Sequence, residues 1–137
     1  MYELGAALLA TGVAYLLNRW GLNRFGLTEV VWFGPCLEEA GKTYFALLLN
    51  AAVWWVHVLF GFIEGIVDVW GGSPRAISAA LVSVVGHGIF GYVTIWGATA
   101  FSAWWPGVLL AIGAHILWNG YVVVFLAKRY SKQEDRE

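Results

Sequence analysis

Charged side chains are scarce in this chain until its last ten positions. Of 17 Asp, Glu, Lys and Arg residues, seven lie between Lys128 and Glu137, leaving ten for everything before. A soluble globular domain is about 25% charged, whereas this chain is 12% charged and 60% hydrophobic. A soluble fold of this size cannot hide so much apolar surface. The chain therefore reads as an integral membrane protein, with residues 1–127 forming one transmembrane bundle and 128–137 a solvated polar tail. A net charge of −1, with no basic patch outside that tail, excludes a nucleic-acid binder. The single cysteine, Cys36, excludes a disulfide scaffold. No Lys or Arg precedes the first apolar run, and Arg19 and Arg24 follow it. That order is the reverse of a signal peptide's, so the run reads as a retained helix.

A spanning helix needs about 20 apolar residues. The expected spans run from Tyr2 to Asn18, from Pro35 to a break near Asn50, from there to Trp70, from Arg75 to Thr99 and from Pro106 to Ala127. Unbroken, the segment from Pro35 to Trp70 would be about 54 Å long, too much for a hydrocarbon core of ~30 Å. Asn50-Ala51-Ala52 is the place where it can break, and Gly71-Gly72-Ser73-Pro74 marks a turn. The fold class is thus all-α, a polytopic bundle of about five membrane-spanning helices. With the N-terminus outside, Arg19, Arg24, Arg75, Lys128, Arg129 and Lys132 all fall on the cytoplasmic side. Trp20, Trp54, Trp55, Trp70, Trp104 and Trp105 fall at helix ends, where headgroups favour such rings. A prokaryotic cell membrane is the expected location.

Ionisable groups inside a bilayer cost about 2.5–3.5 kcal/mol each on insertion scales, and so ask for a reason. Glu38, Glu39, Lys42, His57, Glu64, Asp68, His87 and His115, with Asn119, lie within these spans. Most fall in the inner half of the membrane, on four different helices. Gly107, Ala111, His115 and Asn119 recur every four residues, and Ala79, Ser83, His87 and Gly91 repeat the pattern one helix earlier. Gly61 and Gly65 flank Glu64. Small residues at this spacing let membrane helices approach closely, so the polar groups sit on or beside inward faces. Each also has a local explanation. A membrane histidine beside Ser or Asn is often a helix–helix hydrogen bond, and Glu38 or Glu39 with Lys42 is an ion pair at helical spacing. Asp68 can snorkel to the interface, His57 lies nearer the outside, and Cys36 has no base beside it. Their shared level outweighs these separate readings.

Glu38-Glu39-Ala40-Gly41-Lys42 is an EExxK motif and Phe60-Gly61-Phe62-Ile63-Glu64 an FxxxE motif; His87 follows, then His115-Ile116-Leu117-Trp118-Asn119 as HxxxN. In this order they resemble the PrsW-type intramembrane proteases. They are also similar to the wider superfamily of CAAX prenyl endopeptidases and bacteriocin-processing (CPBP) proteases. The resemblance covers residues 35–120. Members of the family are usually longer, so this chain resembles a bare catalytic core that a second copy would complete as a homodimer. Glu64 in place of the wider superfamily's histidine argues against prenyl-protein processing. PrsW-type proteases act on anti-sigma factors outside the cytoplasm, whereas the charge pattern here puts the site inward, so either the substrate or the orientation differs.

Peptide hydrolysis in a membrane needs a water, a base and a stabiliser for the oxyanion. Glu38 is the expected general base, with Glu39 and Lys42 setting its orientation and charge. The resemblance implies that His115 and Asn119 form the oxyanion hole and that Glu64 or His87 holds the attacking water. No cofactor is needed for this. Alternatively Glu64, His87 and His115 bind a catalytic zinc and Glu38 acts on its water, although HExxH is absent. The expected partners are the lipid bilayer and a membrane-associated peptide or protein substrate. A non-catalytic scaffold or small transport protein would use the same polar cluster structurally.

Overall fold

The structure, a computed structural model, describes the backbone of residues 1–71 and 76–134 and the side chains of 1–71 and 76–122. The turn expected at Gly72-Ser73-Pro74 and the side chains of the polar tail lie outside the described residues. The described chain is all-helical, with helices α1 (Tyr2–Phe25), α2 (Gly34–Leu48), α3 (Val53–Trp70), α4 (Ala76–Phe101) and α5 (Trp104–Glu134). A short π-helical turn over Glu29–Phe33 leads from α1 into α2. Of these helices, α3 and α4 are long and apolar enough to cross a membrane.

Helix ends follow local chemistry. α1 stops at Gly26, whose φ of 57° is costly for residues with a Cβ, and the Gly26 N–H closes on the Leu22 carbonyl. α2 ends in a Schellman pair: Ala51 N–H bonds the Ala46 carbonyl at 2.8 Å and Asn50 N–H the Leu47 carbonyl at 3.2 Å. Asn50 takes φ 56° between them, so the break between α2 and α3 falls on Asn50 as expected. Ser102, with φ 54°, makes the corresponding turn between α4 and α5.

Two expectations need revision. α1 runs on past the expected span end at Asn18, through Arg19 and Arg24, to Phe25. α2 has 15 residues, about 22 Å at 1.5 Å per residue, which is shorter than a ~30 Å hydrocarbon core.

Packing is inside-out. The buried face of α1 is small, with Ala6, Ala7, Ala10 and Ala14 set against Ala46, Val53, Val56 and Phe60. α3 and α4 make the most extensive helix pair. A Cβ on Gly61 would lie 3.0 Å from the Ser83 carbonyl, and one on Gly91 would lie 2.8 Å from the His57 Cβ. Gly107 packs directly on the α4 backbone at Thr94 and Ala98. The small-residue stripes therefore face inward. The outer faces carry the large apolar side chains, as in the exposed row Ile77, Leu81, Val85 and Ile89 on α4.

Candidate active site

The polar side chains meet where α2 crosses between α3, α4 and α5. On α2 the buried stripe is Pro35, Glu38, Glu39, Lys42, Thr43 and Ala46, one face at helical spacing. Glu39 and Lys42 are both 0% exposed. Lys42 Nζ donates to Glu39 Oε1 at 2.6 Å and to His87 Nδ1 at 2.8 Å. It also stands over the Phe60 ring, 4.3 Å from its centroid.

Donor roles follow. An ammonium only donates, so His87 Nδ1 accepts, and its Nε2–H donates to Glu64 Oε2 at 2.9 Å. Ser83 Oγ donates to the same oxygen at 2.6 Å. A carboxylate only accepts, so His115 Nδ1 donates to Glu39 Oε1 at 2.9 Å, leaving the His115 Nε2 edge for other partners. Phe90 stacks on the His115 ring with centroids 4.5 Å apart. One chain of hydrogen bonds thus links Ser83, Glu64, His87, Lys42, Glu39 and His115 across four helices.

Glu38 is placed differently. Its Oε1 accepts from Asn18 Nδ2 at 2.8 Å, while its Oε2 is buried without a hydrogen-bond partner, 3.8 Å from Lys42 Nζ. Asn119 Nδ2 donates to the Val30 carbonyl at 2.8 Å, pinning the π turn to α5 and committing one of its N–H groups. His57, 0% exposed, brings Nδ1 to 3.3 Å from Glu39 Oε2 in an orientation that makes no hydrogen bond. It therefore belongs to the cluster.

Glu38, Glu64, His87, His115 and Asn119 line one cavity of about 900 Å³, walled by α1 and the π turn on one side and by α3, α4 and α5 on the other. Glu39, Lys42 and His57 lie behind this wall. Asp68 lines the cavity as well, whereas Cys36 is exposed. Among the described residues, ligand atoms of Glu38, Glu39, His87 and His115 lie within 4.8 Å of one another and could hold a metal ion. Glu64 is not in that group. Lys42 Nζ already bonds two of its members, Glu39 and His87.

Two cavity residues were not anticipated. Asn18, the partner of Glu38, closes the stripe Ala6, Ala10, Ala14 and Asn18, the same small-then-polar repeat seen on α5. Glu29 is 3% exposed on the π turn, outside both apolar spans. Burial, and then the neighbouring Glu38 charge, raise its pKa above the usual carboxylate range. In comparisons with known proteins, no family model, no curated protein and no solved structure matches this chain.

Proposed function

We propose that this chain is a membrane-embedded peptidase in which Glu38 activates water. The observation that carries the reading is the cavity itself: Glu38, Glu64, His87 and His115, from four helices, line one space large enough for a peptide segment. Glu38 Oε2, free of hydrogen bonds, takes a proton from water as the oxygen attacks the peptide carbonyl. The same proton then goes to the leaving amine. Asn119, through its uncommitted N–H, and His115 Nε2 face the developing oxyanion. With Nδ1–H given to Glu39, His115 Nε2 can donate to the oxyanion only when the ring carries a second proton. Lys42 holds Glu39 and His87 in place, and His87 with Glu64 orients the water.

The metal-free version is preferred for a physical reason. Both ring nitrogens of His87 are engaged, and the Lys42 ammonium sits against two of the nearest metal-ligating groups. A divalent ion would have to displace or face that charge.

In this reading the chain spans the membrane five times, and its apolar outer faces meet lipid. Arg19, Leu22, Asp68 and Ser78 line the cavity near the end of α1, the end of α3 and the start of α4. That end carries the basic residues, so the cavity belongs to the cytoplasmic half. A homodimer would complete the substrate path.

The rival is a non-catalytic scaffold or transport protein, favoured by the continuous hydrogen-bond chain from Ser83 to His115. Purified wild type, Glu38→Gln and His115→Ala, each assayed on a membrane-peptide library, separate the two. The peptidase reading expects cleavage by wild type, a loss of at least roughly a hundredfold in each variant, and indifference to chelators. Zinc-reversible loss with a chelator would establish the metal version. No cleavage by wild type, with thermal stability collapsed in both variants, would establish the scaffold.

A further inference from the structure

Beside Glu38, the cavity lining carries two acceptors without donors. Glu29 presses its carboxylate against α1 at Gly21, in the space that a Cβ there would take. Its Oε1 has no hydrogen-bond partner. Asn18 Oδ1 is likewise buried and unpartnered, and Asn18 Nδ2 ties it at 2.8 Å to Glu38, whose Oε2 makes no hydrogen bond but faces the Lys42 ammonium at 3.8 Å. All three residues line the cavity. Leaving a buried polar group unmet costs on the order of 1–3 kcal/mol, and more for a charge, so the two unmet acceptors Glu29 Oε1 and Asn18 Oδ1 ask for a donor.

The wider cavity has the same bias. Glu29, Glu38, Glu64 and Asp68 line it, opposed by Arg19, while Phe60, Val82, Phe90 and Trp118 make it otherwise apolar. An organic cation fits Glu29 better than a metal ion. Among the described residues, the acids and histidines gathered closely enough to share a metal do not include Glu29.

We infer that Glu29 and Asn18 form a subsite for a basic side chain. The substrate class of the proposed peptidase is then an apolar membrane peptide carrying Lys or Arg close to the bond that Glu38 attacks. This rests on the peptidase reading for the word substrate, but not for the binding. The peptide's ammonium or guanidinium donates to the Glu29 carboxylate and to Asn18 Oδ1, and its apolar flanks lie along Phe60 and Trp118.

The test uses two dansyl-labelled, Leu/Ala-rich transmembrane peptides. One carries a single central Arg; the other carries citrulline, its neutral isostere. Binding to the purified full chain in detergent is read by energy transfer from the protein's tryptophans. The Arg peptide should bind roughly tenfold tighter or more, the worth of one charge-assisted hydrogen bond. Glu29→Gln should erase most of that preference, and Glu29→Asp, which withdraws the charge by one methylene, should erase part of it. Equal binding of both peptides by wild type overturns the inference, with no variant needed. So does a preference that survives Glu29→Gln in a protein that still melts cooperatively; Glu29 is then a protonated structural acid. Selective binding without cleavage would sink the peptidase reading and leave the subsite standing, whereas cleavage of both peptides with equal affinity would do the reverse.

Discussion

A fully buried carboxylate must have its charge answered at close range, and Glu39 has Lys42 at 2.6 Å and His115 at 2.9 Å. Glu29, 3% exposed at the cavity wall, has no such answer for its Oε1, which makes its ionised form a source of instability. Its pKa is raised in the folded chain, so ionising it costs the folded state stability. Stability is therefore lost as pH climbs from the ordinary carboxylate range through the raised value, and is regained on acidification. Glu29→Gln should raise Tm by a few degrees at neutral pH, corresponding to about 1 kcal/mol or more, with the gain shrinking toward acid pH. Differential scanning fluorimetry across pH checks this, and a lower Tm at neutral pH would contradict it. Glu29 is hard to read from sequence because it belongs to no repeat; only the fold sets it against Gly21. Asn18 was readable, since the every-four rule that picks out His115 and Asn119 also reaches it through Ala6, Ala10 and Ala14.

At the scale of elements, the break after α2 was legible because one residue type tolerates it. Asn is several-fold enriched at positive φ, and Asn50 sits at 56°. Asn50→Gly should be neutral or slightly stabilising, while Asn50→Val should cost about 1–2 kcal/mol, measured by thermal unfolding in detergent. Equal stability of the two variants would mean that the turn is held by tertiary packing alone. The extension of α1 was not legible. Arg19, Asn23 and Arg24 look like a loop in sequence, yet all are exposed on the helix while Gly21 is buried among them. Exposed charges at a helix end do not stop a helix; Gly26 does. The π turn has no sequence mark that periodicity detects, although it is what carries Glu29 and Val30 to the cavity.

Across the described residues, Glu39, Lys42, His57, His87 and His115 are buried while rows of large apolar side chains are exposed, the arrangement expected where lipid is the solvent. The proposed orientation has a direct check. In a Cys36→Ser background, a cysteine introduced as Ser131→Cys should react with an impermeant maleimide only after the cells are permeabilised. Reaction in intact cells would invert the topology and put the cavity on the outer side.

An isotope shows whether the converging acids and imidazoles hydrolyse a peptide bond. Purified wild type is incubated with a membrane peptide in H2¹⁸O, and the fragments are weighed by mass spectrometry. One solvent oxygen should enter each new C-terminal carboxylate, and cleavage should be lost in a Glu38→Gln variant that keeps the wild-type melting profile. Cleavage by Glu38→Gln at the wild-type rate, or no cleavage by wild type of any membrane peptide offered, would contradict this hydrolysis.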